Sequence, residues 1–175
     1  MNLPEGVDLT AFKMHRDERG WLTEIFRDEW QLADPCQWNI TRTNPGVLRG
    51  LHVHHRHHDY LVVMHGRITV GLRDLRPKSP TCGASAVFEM SDEKLAALRI
   101  PPGVLHGFYC PELTLYTYGV DAYYDPGDEL GCHWADPAAG IAWPCRDPIL
   151  SARDRDAGSL AELESRLRAI DPAFA

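Results

Sequence analysis

Short apolar and β-branched segments alternate with turn-forming residues along most of this chain. Proline, glycine and asparagine mark the turns, as at 44–46 and 101–103. These residues either fix or free the backbone φ angle, and neither proline nor glycine suits the interior of a strand. The segments that we predict as strands are 21–26, 37–43, 60–64, 67–73, 85–90, 97–100, 107–110 and 114–120. Many short strands without alternating helices predict an all-β sandwich or barrel.

One segment near the C-terminus has a helical period instead. Ser159 is followed three residues later by Glu162, which is a capping-box sequence. The apolar residues that share one helical face are Leu160, Leu163, Leu167 and Ile170. We therefore predict a short C-terminal helix packed on the barrel, preceded by an ordered, extended loop over 134–156.

Composition and charge narrow the class of protein. A length of 175 residues suits a single domain, and a formal net charge of −7 argues against a nucleic-acid polymer or a membrane surface as partner. No apolar run approaches the roughly 18 residues that cross a bilayer, and the first residues lack a signal-peptide pattern. Five scattered cysteines without CxxC spacing favour neither a disulfide framework nor a thiolate zinc site. We expect a reduced, cytoplasmic protein.

The segment 52–58 contains five of the nine histidines. Alternate residues of a strand point to the same face, so His52 and His54 are candidates for the barrel interior. We expect His55, His57 and His58 to lie on an exposed loop.

The spacing of these histidines resembles a metal motif of the cupin superfamily. The first motif runs from Gly46 through His52, His54 and Asp59 to Gly66, and Pro101-x-Gly103-x2-His106 matches part of a second. Imidazole and carboxylate ligands suit zinc, iron, nickel or manganese. The alternative to a metal-free site is therefore one divalent transition metal, whose candidate ligands are His52, His54, Asp59 and His106.

A second resemblance covers nearly the whole chain. Its motifs lie at 17–24 (DERGWLTE), 37–39 (QWN), 46–52 (GVLRGLH), 79–81 (SPT), 102–108 (PGVLHGF), 141–144 (IAWP) and 150–154 (LSARD). In number and order they resemble those of the dTDP-4-dehydrorhamnose 3,5-epimerase family. The resemblance implies a cupin-type jelly roll in which 1–45 reach a homodimer partner, 46–130 form the barrel core and 131–175 form an extended tail with a helix.

The same resemblance implies an isomerase without a cofactor. It would epimerise a nucleotide-linked, dTDP-type 4-keto-6-deoxy sugar at C3, C5 or both, in deoxysugar biosynthesis. His52 is then the base, with Asp154 orienting it, and an imidazole suits this task because its pKa lies near the working pH. Tyr116 and Tyr118 share a strand face, and only the spacing to 123–126 favours Tyr118 as the acid.

The resemblance also implies the residues that bind the substrate. Tyr124 would stack on the nucleotide base, and guanidinium groups would hold the diphosphate. Arg19 and Glu24 would act in the partner's site. The implied binding positions are Arg19, Glu24, Gln37, Asn39, Arg49, His106, Tyr124, Glu129 and Arg153.

One position departs from the family pattern. Asp59 stands where the family has a lysine that stabilises the enolate oxygen. Two like charges about 4 Å apart at an effective dielectric near 20 repel by roughly 4 kcal/mol. If this energy adds to the activation barrier, the reaction slows by about three powers of ten. Two explanations are open. In the first, Asp59 points away from the enolate or is neutralised by Arg56 or a neighbouring histidine. In the second, Asp59 binds a metal ion. A metal-dependent cupin isomerase or oxygenase, and a noncatalytic nucleotide-sugar-binding cupin, are the alternative functions.

Overall fold

The computed structural model describes residues 2–30 and 34–174. Within them the strands are β1 (Asp8–Ala11), β2 (His15–Asp17), β3 (Gly20–Leu22), β4 (Gln37–Thr43), β5 (Val47–Val53), β6 (Asp59–His65), β7 (Arg67–Asp74), β8 (Ser85–Ser91), β9 (Ala96–Ile100), β10 (Val104–Cys110), β11 (Thr114–Val120) and β12 (Leu130–Gly131). The α-helices are α1 (Ala152–Arg155) and α2 (Leu160–Ile170), and 3-10 turns lie at Asp28–Trp30, Pro137–Ala139 and Pro172–Phe174.

The strands form two antiparallel five-stranded sheets and one separate hairpin. The first sheet has the order β1-β9-β6-β11-β4 and the second has the order β12-β5-β10-β7-β8. The hairpin pairs β2 with β3. A core of buried residues such as Leu61 and Leu98 from the first sheet, and Ile68 and Leu72 from the second, packs the two sheets face to face. The predicted all-β, jelly-roll sandwich is confirmed.

The C-terminal helix covers the outer side of the second sheet. Ser159 and Glu162 make the predicted capping box. The buried face of α2 packs with Leu51 and Leu105 in a second apolar cluster, and it consists of Leu160, Leu163 and Leu167. Ile170 is 47% exposed, so its assignment to that face was wrong. It occupies the last helical turn.

Sequence periodicity missed the short and exposed strands. β1, β2 and β12 have two to four residues each and lack a clear alternation. The segment predicted at 21–26 is a strand only as far as Leu22. β5 was not among the predicted strands, although it carries the motif histidine His52. The predicted extended loop over 134–156 contains a 3-10 turn and the single helical turn α1, because Ser151 caps the backbone N–H of Asp154.

Two further sequence expectations concern cysteines and membrane spans. All five cysteines are free thiols. Over the residues that the structure describes, every helix is too short or too polar to cross a bilayer.

Strands β5 and β10 approach each other closely where they carry site residues. His52 pairs with His106 across this ladder, and Gly50 pairs with Gly107. A Cβ atom on Gly50 would lie 2.7 Å from Gly107 Cα and 2.8 Å from the His106 carbonyl oxygen, and its φ is +121°. Only glycine combines this φ with this contact at no cost.

We predict that Gly50→Ala lowers the free energy of unfolding by about 3 kcal/mol, because it adds a backbone overlap to an unfavourable φ. Gly20→Ala is the matched control, since Gly20 has a φ of +129° with nothing within 4 Å of an added Cβ. Its cost is about 1 kcal/mol, from the φ angle alone. Urea denaturation of both variants measures the difference, and equal losses would contradict the close-approach explanation.

Candidate active site

A cavity of about 300 Å³ lies between the two sheets. Its walls come from β4, β6 and β11 on one side and from β5 and β10 on the other, with α1 and the segment 122–129 at its rim. The predicted site residues that line it are His52, Tyr118, Asp154, Gln37, Asn39, Arg49, His106, Tyr124, Glu129 and Arg153. The fold thus brings together ten positions that are spread over more than a hundred residues of sequence.

His52 is joined to Asp154. The His52 Nε2–H donates to Asp154 Oδ1 at 2.6 Å, and the two side chains are 22% and 6% exposed. Burial raises the pKa of Asp154, but hydrogen bonds from His52, Ser151 and the Gly50 backbone outweigh it and hold that pKa below its usual value. The carboxylate therefore fixes the ring tautomer, with the hydrogen on Nε2 and the lone pair on Nδ1.

Tyr118 approaches the cavity from the opposite sheet. It lies on β11, whereas His52 lies on β5, and both side chains line the same cavity. Burial raises the pKa of Tyr118, which keeps the phenol protonated near neutral pH. Tyr116 also lines the cavity, but it is 3% exposed and packs in the core between the sheets.

Several other polar residues of the cavity are joined by hydrogen bonds. Arg153 donates to Glu129 Oε2 at 2.7 Å, and Arg49 donates through Nε to the Thr43 hydroxyl at 3.2 Å. On the first sheet, Gln37 donates to the Asn39 side chain at 3.1 Å and accepts from the Tyr124 backbone N–H at 3.2 Å. The Tyr124 ring remains 67% exposed at the cavity edge.

Arg19 and Glu24 lie outside the cavity of their own chain. Arg19 pairs with Asp17 at the turn of the β2–β3 hairpin, and Glu24 pairs with Arg27 at 2.6 Å. Both are exposed to solvent.

The expectation that the later histidines lie on an exposed loop was wrong for two of them. His57 is 8% exposed and its Nδ1 donates to Asp128 Oδ2 at 2.9 Å, while the His55 side chain is 4% exposed and lies 2.6 Å from Asp128 Oδ1. His58 is half-buried and bonds Asp121. The buried carboxylate of Asp128, which sequence analysis did not single out, folds this loop inward.

Asp59 faces the cavity rather than solvent. It is 7% exposed, and its Oδ2 lies 3.9 Å from His54 Nε2 and 3.7 Å from His106 Nε2. Burial raises the pKa of Asp59. The alternatives in which Asp59 points away or is neutralised by Arg56 were wrong, because Arg56 pairs with Asp125 at 2.8 Å.

The structure also changes the set of candidate metal ligands. Potential ligand atoms of His54, His57 and Asp59 lie within 4.8 Å of one another, and His106 borders them. His52 is not part of this group, and its Nε2 bonds Asp154. Burial lowers the pKa of both His54 and His106 to about 4, which leaves these rings neutral at pH 7.

Comparison with known proteins identifies the family. A family model described as dTDP-4-dehydrorhamnose 3,5-epimerase matches residues 3–162. The chain belongs to the dTDP-4-dehydrorhamnose 3,5-epimerase family. A relative of that name from Neisseria gonorrhoeae is 36% identical over 97% of this chain, although the chain spans only 54% of that relative's length.

Solved structures of family members resemble the whole fold. A 3′-monoepimerase from Streptomyces bikiniensis in complex with dTDP-quinovose is 30% identical, with a TM-score of 0.84 over 94% of this chain and 88% of that one. A dTDP-6-deoxy-D-glucose-3,5-epimerase from Legionella pneumophila in complex with dTDP-4-keto-L-rhamnose is 29% identical, with a TM-score of 0.82 over 96% and 91%. The predicted family and cupin-like fold are confirmed.

We predict that the interaction between His52 and Asp154 raises the free energy of unfolding of the protein. A double-mutant cycle with His52→Ala and Asp154→Ala is expected to give a coupling of about 1–3 kcal/mol at pH 7. Because the folded-state pKa of Asp154 is depressed, this contribution is present above the ordinary carboxyl pKa and is lost as pH falls through the folded value.

Urea denaturation between pH 3 and pH 8 would measure this coupling. The matched control is the exposed pair of His65 and Asp92, whose side chains lie 3.1 Å apart and whose cycle is expected to give less than about 1 kcal/mol. A His52–Asp154 coupling no larger than the control would contradict the assignment.

Proposed function

We propose that this protein epimerises a dTDP-linked 4-keto-6-deoxy sugar, inverting a carbon next to the ketone. The observation that carries the proposal is the placement of His52, held by Asp154, and Tyr118 on opposed sheets around one cavity. Inversion requires proton removal on one face of a ring and proton return on the other. Relatives that bind dTDP sugars in their solved structures support the same substrate class.

The proposed reaction consists of two proton transfers. The Nδ1 lone pair of His52 takes the proton from the carbon beside the C4 ketone, and the electrons of that C–H bond move into an enolate. The Tyr118 phenol then gives its proton to the same carbon from the other side. Proton exchange with water then returns the imidazolium and the phenolate to their starting protonation states. The two proton transfers therefore balance without a cofactor.

The rim of the cavity is suited to a nucleoside diphosphate. Arg49 and Arg153 supply guanidinium groups, which donate to phosphate oxygens in a forked geometry. Tyr124 offers an exposed ring for stacking on the base, and Gln37 holds its backbone. Asn39, His106 and Glu129 are proposed to contact the sugar from the cavity wall.

Asp59 is compatible with this chemistry in its neutral form. A carboxylate there would repel the enolate, but burial raises the pKa of Asp59 and favours the protonated acid. A neutral carboxyl adds no negative charge to the cavity and carries an O–H that is able to donate a hydrogen bond.

We predict that a dTDP-4-keto-6-deoxyhexose exchanges a carbon-bound proton with deuterated water in the presence of the protein. His52→Ala is expected to lower the exchange rate by at least about 100-fold, since it removes the base. Tyr118→Phe is expected to lower the rate of inversion by at least about 100-fold, since the enolate then regains a proton only from the His52 side. Matched controls are His65→Ala and Tyr123→Phe, which change exposed residues that do not line the cavity.

NMR spectroscopy of the sugar would follow the exchange and show whether one carbon or two incorporate deuterium. Tight binding of the nucleotide sugar without exchange in the wild-type protein would favour a noncatalytic binding function. Equal losses in the control variants would contradict the assigned roles.

We further propose that the site is completed in a homodimer. Arg19 and Glu24 lie outside their own cavity, on the β2–β3 hairpin and the loop that follows it. Near them, Leu22 is 64% exposed, and on the edge strand β4 Ile40 is 71% exposed. Contiguous exposed apolar side chains are typical of a surface that a partner covers, and we propose that these residues belong to one such surface.

We predict complementation between subunits. A variant with Arg19→Ala and Glu24→Gln, mixed with His52→Ala, is expected to recover about one quarter of the wild-type exchange rate. Half of the mixed dimers are hybrids, and each hybrid has one intact site. The measurement compares the mixture after subunit exchange with each variant alone, and a rate equal to the mean of the two parents would contradict a shared site.

A further inference from the structure

The loop between β5 and β6 is joined to the rim of the cavity by hydrogen bonds. This histidine loop consists of residues 54–58, and the rim segment that it contacts consists of residues 121–129, between β11 and β12. The rim segment is a run of bends and turns, so side-chain contacts have a large share in fixing its shape. It carries Tyr124 and Glu129, which both line the cavity.

Asp128 makes three contacts at one end of the rim segment. Its Oδ1 accepts the His55 backbone N–H at 2.8 Å, its Oδ2 accepts the His57 Nδ1–H at 2.9 Å, and its carbonyl oxygen accepts the His54 Nδ1–H at 3.1 Å. The residue is only 2% exposed. A buried carboxylate is tolerated only where donors satisfy its oxygens, and loss of an oxygen there leaves a buried donor without a partner.

Two further contacts hold the earlier part of the rim segment. Asp121 accepts the His58 backbone N–H at 2.8 Å and the His58 Nδ1–H at 2.9 Å. Arg56 donates to Asp125 at 2.8 Å, but this pair is largely exposed and adds little. Every residue of the histidine loop therefore contacts the rim segment.

These contacts act on the groups that the rim segment presents to the substrate. The Asp125 carbonyl oxygen accepts the Asp128 backbone N–H at 3.0 Å, and Tyr124 directly precedes this turn. On the other side, Glu129 directly follows Asp128 and accepts from Arg153 at 2.7 Å. A displacement of Asp128 would therefore move an aromatic ring through the turn and a guanidinium group through the neighbouring carboxylate.

We propose that Asp128 and Asp121 are positioning residues for the nucleotide part of the substrate. This inference rests on the proposed function, in which Tyr124 stacks on the base and Arg153 holds the diphosphate. The histidine loop keeps the rim segment in one shape before the substrate arrives, so less conformational entropy is lost on binding. The proposed base and acid lie on β5 and β11, whose strand ladders hold them independently of the rim segment. The contacts are therefore expected to govern nucleotide affinity rather than proton transfer.

Isothermal titration calorimetry with dTDP tests the proposal without turnover. Asp128→Asn replaces one of two acceptor oxygens with a donor, and it is expected to weaken dTDP binding by about 10-fold or more. Asp121→Asn, at the other end, is expected to weaken binding by about 3- to 10-fold. The matched control is Asp92→Asn, because Asp92 also accepts from a histidine ring and a backbone N–H, those of His65 and Gly66, and does not line the cavity. This control is expected to bind dTDP like the wild type.

The kinetics of sugar proton exchange separate positioning from a general loss of structure. In Asp128→Asn we expect the KM for the dTDP sugar to rise about 10-fold, with kcat within about threefold of the wild-type value. Circular dichroism checks folding, and Asp121→Asn, whose side chain is less buried, serves the same test if Asp128→Asn does not fold.

Unchanged dTDP affinity in both variants would overturn the proposal, as would a fall in kcat without a rise in KM. A wild-type protein that binds dTDP but exchanges no sugar proton would contradict the proposed function instead. The dTDP titrations of the variants would then still decide whether the aspartates position the nucleotide.

Discussion

The contact between His52 Nε2 and Asp154 Oδ1 joins two parts of the chain that are 102 residues apart. It anchors α1, which has only four residues and so depends on tertiary contacts for its stability. The same turn places Ser151 and Arg153 at the cavity. One buried hydrogen bond therefore positions both the proposed base and part of the proposed diphosphate site.

The two-sheet architecture explains how the base and the acid are kept apart. His52 and Tyr118 belong to different sheets, and the core between those sheets holds them on opposite sides of the cavity. A single sheet could offer both groups only from one direction. The sandwich thus supplies the two-sided access that inversion of a ring carbon needs, without requiring a moving segment.

Apolar, β-branched segments between turn-forming residues predicted β4 and β6 to β11, and the capping box predicted α2. The site was predicted by the order of the family motifs rather than by any local pattern. The burial of His57 was missed, because it depends on Asp128, which lies 71 residues away and carries no periodic signal. The contact between Asp154 and the His52 ring, in contrast, was predicted from the family motifs.

The most direct test of the account is a crystal structure of the protein with a dTDP-linked deoxysugar bound. We predict that the hexose ring lies between His52 and Tyr118, with one ring carbon about 3–3.5 Å from His52 Nδ1, and that the diphosphate lies against Arg49 and Arg153. A hexose bound outside this cavity, or with both side chains on the same face of the ring, would contradict the proposed epimerase.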